Sequence, residues 1–232
     1  MPCIGTRKLY YLLDGQLPVG RDKLFSILRA NQMLVKPVRS YTKTTMLKHW
    51  LHKHPNLLKD FQIRRADQVY VSDIAYIKLR QRMHSLSLIT DAYSRKIVSD
   101  DINVESVVKV LKMAIRQRTN KGIPLIHHSD RGLQYCSSVY QKVLAKYNIT
   151  PSMTDGYDCY QNALAERING ILKQEFLFNR CNNSQDLNQL IKQSIYIYNN
   201  KRPHLALEMK IPNFIHLKTD RNKSIGSCNI LI

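Results

Sequence analysis

Glycine and proline are scarce, eight of each in 232 residues, too few for a linker-dominated or low-complexity chain. Cysteine is scarce too. The five present (Cys3, Cys136, Cys159, Cys181, Cys228) are odd in number, scattered, and form no C-x-x-C pair. That excludes a disulfide scaffold and a zinc knuckle and points to a reducing, cytosolic compartment. No apolar run approaches a membrane-spanning length. The opening MPCIGTRKLYYLLDGQ sets Arg7 and Lys8 before an apolar run too short for a secretory signal. Above all the chain is short of acid: 17 Asp and Glu stand against 36 Lys and Arg, a net charge of +19. Such an excess repels itself unless a polyanion shares it, and it exceeds what solubility requires. With no basic amphipathic helix to favour a membrane surface, nucleic acid is the expected partner.

What is present is an apolar content of 44%, enough for one good core and a smaller attachment. Residues 6–35 read as two short helices. TRKLYYLL is closed by DGQLP, and GRDKLFSILRANQ follows with Leu24, Phe25, Ile27 and Leu28 at helical spacing. A helix, a tight turn and a second helix bearing Arg21, Lys23 and Arg29 suit a helix-turn-helix offering cations to phosphate, although a plain helical hairpin has the same pattern. Residues 36–66 are basic and weakly periodic, a connector suited to lying along a polyanion; the only tryptophan, Trp50, falls there.

From Gln68 the texture changes. QVYVSDIAYIKL, MHSLSLITDAY and RKIVSDDI are three strand-like runs. A helix follows, with Asn103 as its N-cap and an apolar stripe of Val107, Val108, Leu111, Met113 and Ile115. Then come a short strand (IPLIHH), a helix from about Ser137 to Tyr147, a strand (ITPSM), and two long helices near 162–179 and 184–200. Meandering strands followed by alternating helix and strand predict an α/β fold with a mixed five-stranded sheet flanked by helices. The expected divisions are a DNA-binding region at 1–35, the connector at 36–66, a catalytic core at 67–215 and a tail at 216–232.

Three acids occupy positions where α/β sheets gather function. Asp73 interrupts the apolar strand VYVSDIAYI, Asp130 ends PLIHHSD, and Glu166 lies near the start of NALAERINGILKQE. On that helix Leu164, Ile168, Ile171, Leu172 and Phe176 cover one face, while Glu166 and Lys173, two turns apart, share the opposite stripe. Each acid alone has a plain structural reading: helix-dipole compensation, a turn former, a strand residue facing water. If the three converge, their carboxylates form an oxygen-rich cage for hard divalent cations, with Lys173 beside it to meet phosphate. Arg131, Gln134 and Tyr135 follow Asp130 as candidate DNA contacts, Tyr135 serving equally well as core. Of His127 and His128, adjacent strand residues on opposite faces, His128 is the one expected to face the site. Asp91, before AYSRK, reads as a turn or salt-bridge residue, and YNNKRPHLAL as a clamp on the core closed by Pro203.

VSDIAYI, LITDAYSRKIV, HHSDRGLQYCS, NALAERINGILKQE and YNNKRPHLAL, taken in order, resemble the signature segments of OrfB-type insertion-sequence transposases (the IS-three family), relatives of retroviral integrases. The 35 residues 131–165 between Asp130 and Glu166, and the lysine seven residues past the glutamate, match that family's pattern. The resemblance covers about residues 5–215. It implies a ribonuclease-H-like core behind a helix-turn-helix segment, with Asp73, Asp130 and Glu166 holding two Mg²⁺ ions, for which Mn²⁺ would substitute. It further implies metal-dependent DNA cleavage and strand transfer at insertion-sequence ends. Lys173, Arg131, Gln134, His128, Arg167, Arg21, Lys23 and Arg29 would contact DNA. A homo-oligomer on DNA, a partner product from an upstream reading frame and a nucleoid-associated place in the bacterial cytoplasm are also implied. The sequence departs from the family at Tyr70 (usually Trp), Ala75 (often Thr) and Gln161 (commonly Asp). A nuclease without strand transfer, or an inactive end-binding regulator, are the competing expectations.

Overall fold

The computed structural model describes residues 3–35, 53–102, 107–119, 121–155, 162–177, 181 and 183–225, the side chains of 219–225 excepted. Most of the basic connector with Trp50, the expected N-cap Asn103, and Gln161 lie outside the described residues.

Five strands form one sheet in the order β3-β2-β1-β4-β5. β1 (Val69–Leu79), β2 (Arg82–Asp91) and β3 (Ile97–Asp101) make an antiparallel meander, while β4 (Leu125–Ser129) and β5 (Ile149–Met153) add in parallel beside β1. The expected mixed sheet is the one found. β1 is central, and its first four residues, Val69 to Ser72, are buried on both faces, as a strand covered by helices on each side must be. On one face Tyr70, Ile89 and Leu125 pack against α3 (Val107–Gln117) and α5 (Ser138–Lys146) through Leu111, Ala114, Tyr140 and Leu144. On the other, Ala75, Leu79, Leu86 and Leu88 pack against α6 (Ala163–Glu175) and α7 (Ser184–Asn200) through Ile168, Leu172, Ile191 and Tyr198.

Two elements had no counterpart in the sequence reading. A four-residue helix α4 (Leu133–Cys136) follows Asp130 directly, too short for its period to register. After a 3-10 turn at Leu205–Leu207, the helix α8 (Pro212–Ile225) runs across the expected boundary at 215/216. Its stripe is weak, so position 216 onward reads as tail until its contacts are known.

The N-terminal helices α1 (Thr6–Leu12) and α2 (Arg21–Ala30) form as the pattern predicts. α1 is moored to the core by charge: Lys8 Nζ lies 2.9 Å from Glu175 Oε1, and Arg202 donates to both oxygens of the same carboxylate at 2.6 Å. Burial would raise the Glu175 pKa, but Arg202 and Lys8 outweigh it and hold the carboxyl below its ordinary range. Among the described residues no helix is long and apolar enough to cross a membrane.

Candidate active site

Asp73 lies in the middle of β1, and the parallel register sets Val71 opposite His128, so Asp130 leaves the end of β4 beside Asp73. The odd-numbered residues of β1 face α6. Accordingly Asn169 Nδ2 donates to Asp73 Oδ2 at 2.7 Å, and Glu166, one helical turn before Asn169, lies on the same side of α6. Asn162, at the N-terminal end of α6, donates from Nδ2 to the Ser72 carbonyl at 3.0 Å and fixes where the helix begins relative to β1. Three elements thus bring the three predicted acids into each other's fields.

That mutual influence is visible in their protonation. Burial pushes Asp73 up to about 7; the negative charges of Asp130 and Glu166 add to the rise, against the opposing bond from Asn169. Glu166 is raised by burial and by Asp130. Lys173 is exposed on α6; burial of its stem lowers its pKa while the charge of Asp73 raises it, so the cation stands within reach of the acids. A hard, all-oxygen donor set of this kind suits a divalent cation, which would favour the ionised form of Asp73 and Glu166. The buried Asn169 Oδ1 accepts no hydrogen bond, a further oxygen beside Asp73.

The turn after Asp130 requires glycine for space rather than for an unusual φ. Gly132 N–H donates to Asp130 Oδ1 at 3.0 Å, and a Cβ at Gly132 would lie 3.0 Å from that same oxygen. A side chain at Gly132 would therefore press on that carboxylate, which would have to give by a few tenths of an ångström.

The two histidines separate as adjacent strand residues must. His127 Nε2 lies 2.6 Å from Ser72 Oγ and 2.9 Å from Tyr140 OH on the α5 face, with Tyr135 packed beside it. Burial drops the His127 pKa to about 3, so the ring is neutral. Tyr135 is core. His128 is on the Asp73 face as expected, but it is fully buried and its Nδ1 sits 2.8 Å from Ser152 Oγ, which also accepts from Leu57 N–H. A ring so enclosed joins β4, β5 and the 53–60 segment and does not present itself to DNA. Arg131 is half-buried, and Gln134 lies within the short helix, where its carbonyl accepts from Oγ of the C-cap Ser137. Arg167, Arg21, Lys23 and Arg29 are all exposed, Arg21 bonding Asp22 at 3.0 Å and Arg29 lying 4.7 Å over the Phe25 ring.

A second acidic group was not anticipated. Asp67, Asp91 and His216 bring ligand-type atoms within 4.8 Å of one another, the one such group of three among the described residues. The trio at Asp73 is more widely spaced. Every carboxylate oxygen of the second group already accepts a hydrogen bond. Asp91 Oδ1 takes Ser94 N–H and Oγ–H at 2.7 and 2.6 Å, and its Oδ2 takes Asp67 N–H at 2.7 Å. Asp67 accepts from the Tyr70 hydroxyl and from Thr119. His216 of α8 adds its Nδ1 at 3.1 Å from Ser94 Oγ. The group pins α8 to the starting end of β1. It also accounts for Tyr70, where the hydroxyl is what Asp67 uses, and it bears out the turn role of Asp91. Sequence alone offered one signal, a histidine in an otherwise weakly patterned helix.

Comparison with known proteins bears on the family and the fold. The integrase core domain family matches residues 63–159, and a second description of the same domain matches residues 147–212. An insertion element IS600 protein of 31 kDa from Shigella sonnei is 36% identical over 212 residues, covering 88% of this chain and 77% of its own length. The putative transposase InsK of element IS150 from Escherichia coli is 29% identical, covering 68% of this chain and 58% of its own. Transposase InsF of IS3fB, also from Escherichia coli, is 31% identical over 64% of this chain, which spans 53% of it. Among solved structures, the HTLV-2 integrase catalytic core in complex with magnesium superposes with a TM-score of 0.51 at 20% identity, covering 66% of this chain and 97% of that one. The simian T-cell lymphotropic virus intasome gives 0.56 at 19% identity, covering 92% and 70%. At those identities the structures speak for a ribonuclease-H-like, integrase-type fold.

Proposed function

The chain belongs to the insertion-sequence transposases that carry an integrase core, and on that premise we propose that it cleaves and joins DNA at the ends of an insertion sequence. The observation that supports this most is the meeting of Asp73, Asp130 and Glu166 from β1, the end of β4 and the first turn of α6. Asp73, Asp130 and Glu166 would hold two Mg²⁺ ions, with Mn²⁺ as substitute. Bound there, the metals would supply an activated water or terminal hydroxyl and charge relief at the leaving oxygen.

The chain's own groups do the rest. Asn169 and the Ile74 backbone N–H fix the Asp73 carboxylate, and Gly132 keeps Asp130 free of crowding. Lys173 and Arg167, on the exposed side of α6, would take the phosphates on either side of the scissile bond. Arg131 and Gln134 would line the approach, while Arg21, Lys23 and Arg29 of α2 would grip flanking duplex as part of a helix-turn-helix. Work at two element ends would bring at least two copies together on DNA, with an upstream-frame product as a further partner, in the bacterial cytoplasm at the nucleoid.

The test is strand transfer with end DNA and Mg²⁺ for Asp73→Asn, Asp130→Asn and Glu166→Gln. All three should lose both cleavage and joining while still binding DNA. Activity retained by any one of them would remove that residue from the site. Wild type that binds ends but never cleaves would make the chain a regulator, and cleavage of RNA–DNA hybrid in preference to end DNA would make it a nuclease.

A further inference from the structure

A groove of about 730 Å³ lies along the turn between β2 and β3 and the start of α8, and four cations line it: Arg64, Arg95, Lys210 and Lys218. One acid, Glu208, shares the rim, and it is bonded to Lys210 at 2.5 Å. Tyr93 and Ile63 give it an apolar floor. A surface so loaded with one sign of charge costs self-repulsion unless an anion lies across it. Its volume, several cations and apolar lining suit a sugar-phosphate backbone better than a small anion.

The groove is distinct from the acids at Asp73. Ala92 N–H donates to the Val69 carbonyl at 2.9 Å, which sets the β2–β3 turn beside the first residue of β1. Asp73 lies four residues further on, about 13 Å along a strand. At 3.4 Å of rise per nucleotide that offset is about four base pairs. The same end of the sheet carries the Asp67–Asp91–His216 group, which holds α8, and hence Lys218, against the β2–β3 turn.

We propose that this groove is a second DNA-backbone site, which grips phosphates at least about four base pairs from the bond being cut. The proposal rests on the DNA reading given above. Arg64 and Lys218 are both exposed, so replacing them leaves the core intact, and neither is placed in the cleavage machinery.

The experiment uses the full chain and a 40-base-pair duplex carrying the element end (a length on the order of four helical turns). Affinity is read by fluorescence anisotropy across a potassium chloride series, and cleavage is read on the same duplex at saturating protein. The double variant Arg64→Gln with Lys218→Gln should show a slope of log affinity against log salt smaller by about two, with the saturating cleavage rate unchanged. The charge-keeping pair Arg64→Lys with Lys218→Arg should keep the wild-type slope. A slope unchanged in the Gln variant, with melting temperature preserved, overturns the proposal and leaves an acidic protein segment as the groove's occupant. Failure of the cleavage reading is separable: wild type would then cut nothing, while the slope difference would persist.

Discussion

Asp67 and Asp91 sit at the starting end of β1 with all four carboxylate oxygens accepting hydrogen bonds from Ser94, Tyr70, Thr119 and the Asp67 backbone. Asp73 lies in the middle of β1 and Asp130 just past the end of β4; Asp73 takes bonds from Asn169 and Ile74 and feels the negative charge of Asp130 and Glu166. Both groups gather acids beside β1, and from spacing alone the first is the better metal cage. The donors decide otherwise. A carboxylate saturated by N–H and O–H groups is a finished structural joint, whereas Asp73, pushed up to about 7 by burial and by its acidic neighbours, would gain from a cation. Tight clustering of acids and readiness to bind metal are different properties.

The largest expected effect separates the two groups by activity. Asp130→Asn should lower strand transfer by on the order of 10³-fold or more, since a metal-stabilised transition state supplies several kcal/mol, and it should leave the urea midpoint close to wild type. Asp91→Ala should reverse that pattern. It strands Ser94 and the Asp67 N–H in a buried site, a loss of about 3 kcal/mol or more, read as a melting temperature lower by roughly 6–12 °C. If instead Asp91→Ala abolishes catalysis at temperatures where it is folded, the joint belongs to the active site after all.

Acid should test how the fold keeps its buried rings neutral. His127 and His204 are both held near 3, His127 by burial and His204 by burial together with Arg202 and Lys8. Their folded pKa values lie below the unfolded one, so between about 6.5 and 3 the unfolded chain binds more protons. Stability is therefore full above about 6.5 and falls as pH drops through that window, by up to about 1.4 kcal/mol per pH unit for each ring. Replacing His204 with Gln should remove one ring's share of that slope in urea titrations between pH 6.5 and 4.5.

The smallest effect addresses the comparison most directly. Millimolar Mg²⁺ or Mn²⁺ should raise the wild-type melting temperature by a few degrees, as expected at about ten times the dissociation constant. The rise should vanish in Asp73→Asn with Asp130→Asn and survive in Asp91→Ala. The opposite result would place the cation in the Asp67–Asp91–His216 group.

The strands and the mixed sheet were legible in the sequence for identifiable reasons, and the same features made the three acids candidates. β1 carries a continuous apolar run that only a central strand tolerates, and an aspartate inside it demands explanation. What escaped notice depends on tertiary contact. Asn169 looks like any helix-interior amide until β1 places Asp73 against it. His216 finds its partners across 122 residues of chain. His128 was given the correct face, but its enclosure by Ser152 and Leu57 follows from how β5 and the 53–60 segment close over it. The departure at Tyr70 has a purpose that only the fold shows: its hydroxyl is bonded to Asp67.

The bond between Asp73 and Asn169 spans 96 residues, and this has a consequence in time. At a synthesis rate of about 5–20 residues per second, a ribosome needs on the order of 5–20 s to travel from one to the other. Throughout that interval the nascent chain carries its basic surface but neither Glu166 nor the helix that orients Asp73. A chain still being made can therefore settle on nucleic acid before it is able to cut it. Competence arrives late, once α6 has emerged and docked.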